Sequence, residues 1–234
     1  MRDSVTEATK AFIFDYGGTL DTGGCHWGKV LWHAYEQEGV PVAEDRFRDA
    51  YVVAERKLGK EKIIQSDYTF YQTLAEKLRI ELDELHRLSY HEKVLERVYQ
   101  QVKFHTQQSR EVLLRLKKRY PLALVSNFYG NISVVLKEFG FSGLFDAVIE
   151  SATVGFRKPD PRIFMLGVEA LGLSAKEVTV VGDSMEKDIL PAKSAGCHTI
   201  WFRGEQWLDA PFDETVPDRI IDNIKELNKI YEAN

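Results

Sequence analysis

The chain has 234 residues, 44% hydrophobic and 12% aromatic, with 31 basic against 36 acidic side chains and a formal net charge of −5. This is the composition of one large globular domain with an insertion or a small companion. It lacks the basic excess that nucleic-acid binding needs, and no apolar run approaches the ~18 residues of a membrane span. The first ten residues, MRDSVTEATK, are polar and hold no signal-peptide core. The two cysteines, Cys25 and Cys197, make neither a disulfide framework nor a zinc-ligand spacing, so the expectation is a cytoplasmic, reducing setting. Neither internal repeats nor low-complexity tracts are present.

In chain order, the first apolar run is Ala11-Phe12-Ile13-Phe14. Four more follow much later: residues 122–125, 147–149, 178–181 and 199–202. Each is too short for a helix and lacks in/out alternation, as strands buried on both faces of a parallel sheet do. Helical patterns separate the later runs, with Val112, Leu113 and Leu116 on one face, then Ile163, Leu166 and Val168, then Ile189 and Ala192. Strand–helix alternation of this kind predicts an α/β fold, a Rossmann-like parallel sheet with helices on both faces.

Residues 22–105 read differently, with no clear strand. Trp27, Leu31 and Ala34 mark a first helix there, and Val52, Val53 and Leu58 a second after the Pro41 break. Phe70, Leu74 and Leu78 mark a third, and Leu85, Leu88, Leu95, Val98 and Val102 a long fourth. The expected division is a core of residues 1–21 and 106–234 with an α-helical cap of residues 22–105 inserted after the first strand.

Ligands of a parallel sheet sit beyond the carboxyl ends of its strands. The run FIFDYGGTLD puts Asp15 at such an end, followed by glycines that let backbone N–H groups approach an anion. Alone, the motif fits equally well an aspartate that merely starts a turn. Three further segments add to it. Val125-Ser126-Asn127 brings a hydroxyl to the same edge, and Val181-Gly182-Asp183-Ser184, continuing to Asp188, brings a carboxylate. In Lys158-Pro159-Asp160-Pro161, Asp160 reads as an N-cap and Pro161 as the first helical residue, which fixes Lys158 just before a helix. Carboxylates with a lysine and a hydroxyl make a hard-cation site beside an anion clamp.

These segments, FIFDYGGTLD, VSNF, GFRKPDPRIF and VVGDSMEKDILPAKSAG with the closing PDRIIDNIKEL, resemble the haloacid dehalogenase superfamily in order and spacing over nearly the whole chain. The resemblance implies a Mg²⁺-dependent phosphatase acting on a small phosphorylated metabolite. Asp15 would be the nucleophile that becomes an aspartyl-phosphate, and Ser126 and Lys158 would hold the transferring phosphoryl oxygens, with Gly18, Thr19 and Asn127 as further phosphate contacts. Asp15, Asp183 and the Gly17 carbonyl would ligate the metal, and Asp188 would support Lys158.

One position departs from the pattern. Most phosphatases of the superfamily carry a second aspartate two residues after the nucleophile, and here that residue is Gly17. The metal ligand survives, since it is a carbonyl. The general acid/base does not, and such a group is worth ~10²–10⁴ in rate. Asp21 and His26 are the candidates to replace it. Cys25 reads as a free thiol, and Lys57, Lys60 and Lys62 as a solvated helix end. Trp27, Trp32 and Phe128-Tyr129 either line a cleft or pack a core. Three rival readings stand beside this one: a dehalogenase, which shares the nucleophile, Ser-Asn and Lys, and, because of Gly17, a phosphonate-cleaving enzyme that uses a cap lysine or a phosphate-binding protein without catalysis.

Overall fold

The computed structural model describes residues 4–207 and 212–231. Helix α1 (Ser4–Ala8) precedes β1 (Ala11–Phe14). Four α-helices follow: α2 (Trp27–Gln37), α3 (Glu44–Lys60), α4 (Phe70–Glu84) and α5 (His91–Leu116). The chain then alternates through β2 (Leu122–Ser126), α6 (Ile132–Glu138), β3 (Ala147–Glu150), α7 (Ser151–Val154), α8 (Arg162–Ala170) and β4 (Val178–Gly182). It closes with α9 (Leu190–Ser194), β5 (His198–Phe202), β6 (Arg219–Ile221) and α10 (Glu226–Tyr231). All strands pair in parallel in one sheet of order β3-β2-β1-β4-β5-β6.

The sheet confirms the α/β reading and shows why its strands are apolar throughout. Phe12 and Phe14 face one layer, with Leu122, Leu124, Val181, Val112 and Leu116. Ala11 and Ile13 face the other, with Val125, Val180, Ile163 and Phe164. Every residue of β1, β2 and β4 is buried.

Helices α2 to α5 form the helical cap that follows the first strand. Residues 91–116 make one continuous helix, so the break expected at residue 105 falls inside α5. Between Val102 and Val112, Thr106 and Ser109 are buried; Thr106 Oγ1 donates to Val102 O (2.8 Å) and Ser109 Oγ to Leu20 O (2.8 Å). Hydroxyls thus carry the buried stripe across the gap. On α3, Val52 is exposed and the buried face is Phe47, Ala50, Tyr51, Ala54 and Leu58. Leu88 is also exposed, in a short 3₁₀ turn before α5. Helix α8 starts one residue later than expected: Pro161 is its N-cap, and the Asp160 side chain accepts from Arg162 N (3.0 Å).

Candidate active site

Strand β1 is central, and the chain turns to opposite sides of it, to β2 and to β4. The crevice beyond β1 and β4 is therefore the switch point at which open α/β sheets bind ligands. Phe14 pairs with Val181, so Asp15 and Asp183 leave the two strands side by side. Asp188 joins them from a π-helical turn over Met185–Ile189, where its Oδ2 accepts from Ser184 N (3.0 Å). One oxygen from each of the three carboxylates lies within 4.8 Å of the others, and all three residues are buried.

One cation answers this charge. Lys158 Nζ ion-pairs with Asp15 Oδ1 and, at 2.6 Å, with Asp188 Oδ1. Asn127 fixes its backbone, accepting from Lys158 N (2.9 Å) and donating to Lys158 O (3.0 Å). The side chain of Asn127, expected on phosphate, thus positions Lys158, and the residue also lines the cavity. Ser126 ends β2, buried, and lines the cavity in front of Asp15.

Two other expected phosphate contacts do different work. Gly18 N donates to Asp21 Oδ1 (2.7 Å), and neither Gly18 nor Thr19 lines the cavity. Gly18 has φ +102°, and a Cβ there would lie 2.4 Å from the Asp183 carboxylate, so glycine is what lets Asp183 reach the site. The Thr19 hydroxyl points at Asp15 Oδ2 (3.2 Å) and Asp183 Oδ1 (3.0 Å), and its oxygen accepts from Asp183 N (3.0 Å). It clamps the two carboxylates together and is shielded from any ligand.

Burial pushes Asp15 up to about 6, against the pull of Lys158 and with the push of Asp188. Asp183 is raised well above the ordinary carboxylate range by burial, then by Asp188 and Asp15. Lys158 is held charged, because the attraction of Asp15 and Asp188 outweighs its own burial. Three buried carboxylates against one ammonium leave an excess of negative charge. The residues present therefore fit a divalent, oxygen-preferring cation such as Mg²⁺.

Both candidates for the missing acid/base line the same cavity. Asp21 is buried; besides Gly18 N it accepts from Trp27 Nε1 (3.1 Å), and burial pushes it up to about 8. His26 is the N-cap of α2: its Nδ1 accepts from Gly28 N (3.0 Å), and burial lowers it to about 4. The ring is neutral at pH 7, and with Nδ1 accepting, its proton is on Nε2.

The cavity encloses about 840 Å³ between the sheet edge and the cap. Trp27, Phe128 and Tyr129 line it, whereas Trp32 packs on Phe47 in the core. Cys25 and Cys197 are both free thiols. The cap contributes a cluster that no single stretch of sequence displays: Glu55 from α3, with Lys77 and Glu81 from α4. The signal for it was polar residues, Lys77 and Glu81, set four apart on a helix with Leu74, Leu78 and Leu82 on the buried side. Lys62 also lines the cavity, while Lys57 and Lys60 are exposed.

A parallel sheet with a helical cap after its first strand, and with aspartates, a serine and a lysine at its switch point, defines a capped α/β hydrolase. The chain belongs to the haloacid dehalogenase-like hydrolase family, whose model matches residues 9–196. It is 29% identical over 229 residues to a phosphoglycolate phosphatase of Aliivibrio fischeri, covering 94% of this chain and 96% of that protein. It is 36% identical over 94 residues to a glyceraldehyde 3-phosphate phosphatase of Methanopyrus kandleri, covering 39% of this chain and 40% of that one. The match to haloacid dehalogenase-like hydrolase domain-containing protein 3 of Bos taurus likewise spans only 40% of that relative, at 38% identity over 104 residues and 43% of this chain. Among solved structures, the HAD-hydrolase YfnB of Bacillus subtilis, bound to magnesium, superposes with a TM-score of 0.58 at 17% identity, over 95% of this chain and 98% of that one. A dehalogenase superposes with a TM-score of 0.66 at 19% identity, over 100% of both chains. At these identities the structures show the shared fold.

Proposed function

We propose that the protein is a Mg²⁺-dependent phosphatase of small phosphorylated metabolites, working through an aspartyl-phosphate on Asp15. The observation that carries this reading is the Asp15–Asp183–Asp188 cluster with Lys158 on its rim. The magnesium-bound relative and the phosphatases among the curated relatives support it. The second and third carboxylates favour it over dehalogenation, which needs no metal.

Asp15 and Asp183 would hold the cation together with the carbonyl of Gly17; bound there, the ion neutralises phosphate charge. Lys158 neutralises more of it and binds phosphoryl oxygens, with the Ser126 hydroxyl as a further donor. Asp15 attacks phosphorus and the alcohol leaves. Water then attacks the aspartyl-phosphate and frees phosphate, so two displacements replace one. The leaving oxygen needs a proton. Asp21 retains one at neutral pH, whereas His26 offers only a neutral Nε2–H. Asp21 is the group best suited to the missing role. The core of residues 1–21 and 106–234 would carry this chemistry, and the cap would close over the substrate.

The test is hydrolysis of para-nitrophenyl phosphate with Mg²⁺ and with chelator, by the wild type and Asp15→Asn. Turnover that needs Mg²⁺ and disappears in a folded Asp15→Asn protein is expected. Equal turnover in chelator, or retained activity in Asp15→Asn, overturns the reading.

A further inference from the structure

The cap side of the cavity carries a second polar site, apart from the phosphate end. Glu55 of α3 lines the cavity, with its side chain 40% exposed. Lys77 of α4 ion-pairs with it, and the Tyr129 hydroxyl donates to Glu55 Oε2 (3.2 Å).

Lys77 looks at first like an anchor for an acidic substrate, yet its side chain is only 8% exposed and is already paired with Glu55. An ammonium has three N–H groups. Besides Glu55, Lys77 Nζ faces Glu81 Oε1 at 3.6 Å and stands 4.1 Å over the Tyr51 ring. Glu81 is itself fully buried and accepts from Tyr35 OH (3.1 Å). A substrate carboxylate arriving here would meet two glutamates around a largely buried lysine.

Glu55 is in the opposite situation. A carboxylate offers about four lone-pair sites. Among the described residues Lys77 and Tyr129 account for its hydrogen-bond partners, which leaves acceptor capacity on a side chain that lines the cavity. Lys77 already offsets much of its charge, so the site suits a neutral donor, the hydroxyl group. Tyr129 lines the cavity beside it and adds aromatic surface for the C–H groups of such a ligand. The space also favours a larger leaving group: about 840 Å³ is within the range of sites for drug-sized ligands and far exceeds a two-carbon acid. Lys62, Arg157 and Lys187 line the same cavity but are solvent-exposed. Hydrated cations draw in any phosphate dianion without choosing between leaving groups.

We infer that Glu55, positioned by Lys77 and Tyr129, is a specificity-determining residue that accepts hydrogen bonds from hydroxyls of the leaving group, making phosphorylated sugars or polyols the substrate class. The inference rests on the phosphatase reading above.

The experiment compares ribose 5-phosphate, glucose 6-phosphate, phosphoglycolate and para-nitrophenyl phosphate, with Mg²⁺, in the wild type and Glu55→Gln. Wild-type kcat/KM is expected to be at least about tenfold higher for a sugar phosphate than for phosphoglycolate. In Glu55→Gln the ratio of kcat/KM for that sugar phosphate over para-nitrophenyl phosphate should fall about tenfold, mainly through KM, the loss of one good hydrogen bond to a charged group. A wild type that prefers phosphoglycolate overturns the inference whether or not the variant folds, and so does a Glu55→Gln protein that loses on all esters alike. If the wild type hydrolyses none of the esters with Mg²⁺, the phosphatase reading fails and the inference falls with it.

Discussion

The Trp27 indole donates to Asp21 Oδ2 at 3.1 Å, and this bond lays the ring beside Gly17, where a family phosphatase would carry its second aspartate. A Cβ built on Gly17 meets Trp27 Nε1 at 3.6 Å, ordinary van der Waals contact, and the residue has no left-handed φ. The position is therefore open to a side chain without backbone strain. Gly17→Asp should fold with a melting temperature near that of the wild type. Its turnover of alkyl phosphates should rise by up to ~10²-fold, with a smaller gain on aryl esters, whose leaving groups need no proton. The new carboxylate would share the Trp27 N–H with Asp21. A folded variant that gains on neither class of ester would show that Gly17 is not simply a missing acid.

Asp21 leads to a separate expectation. An acid must hold its proton to donate it, and burial puts that of Asp21 at about 8. Turnover of poor leaving groups should fall as pH rises through about 8, while that of para-nitrophenyl phosphate should fall less. Asp21→Asn should remove the difference by slowing alkyl esters at all pH values. His26→Gln should instead cost helix stability, because the Nδ1 cap on Gly28 N is weakened. A leaving-group dependence that moves with His26 and ignores Asp21 would assign the proton to the histidine.

Much of this site could be read from the sequence because its anchors follow strands. A strand buried on both faces reads as a continuous apolar run, so β1, β2 and β4 announce themselves, and the next residues, Asp15, Asn127 and Asp183, fall at the sheet edge. β6 was illegible because it is three residues that begin with a partly exposed arginine, Arg219-Ile220-Ile221. Motif spacing places Gly18 and Thr19 beside the site without saying where their hydrogen bonds go. The cap cluster was invisible for a different reason. Glu55, Lys77 and Tyr129 come from separate elements, and only the packing of α3 against α4 brings them together.

Crowded carboxylates should leave a thermodynamic trace. Asp15 and Asp183 have pKa values raised above the 3.8 of an ordinary aspartate, so the folded metal-free protein binds protons more tightly than the unfolded chain. The stability they contribute is complete below pH about 4. It is lost as pH rises through about 6 for Asp15, and likewise as pH rises through the raised value of Asp183. Metal-free Asp183→Asn should therefore melt higher than metal-free wild type at pH 7.5, with a smaller difference at pH 4.5. Mg²⁺ should raise the wild-type Tm in proportion to log concentration once bound, and raise that of Asp183→Asn far less. A wild-type Tm indifferent to millimolar Mg²⁺ at pH 7.5 counts against the cation site.

Trp207, in the loop after β5, reaches across to the cap. Its ring lies 4.9 Å from Tyr51 and 5.3 Å from His26, and the Arg48 guanidinium stands 4.4 Å from its centroid. It also sits over Gly28, where a Cβ would come within 1.9 Å of Cζ3. Gly28 is thus the space into which the core's tryptophan fits against the first cap helix. Gly28→Ala should displace the ring and cost about 1–3 kcal/mol, the usual range for overpacking, even though alanine alone favours a helix over glycine. Trp207→Ala should cost a similar amount through lost contact area and the lost cation–π pair. The double variant separates this from two independent injuries. With the ring gone, the alanine methyl has room, so Gly28→Ala should be neutral or stabilising in the Trp207→Ala background. Denaturant melts of all four proteins measure the coupling. Additive losses would mean that the ring does not occupy the groove at Gly28 in solution, and the contact between the core loop and the cap would have to be abandoned.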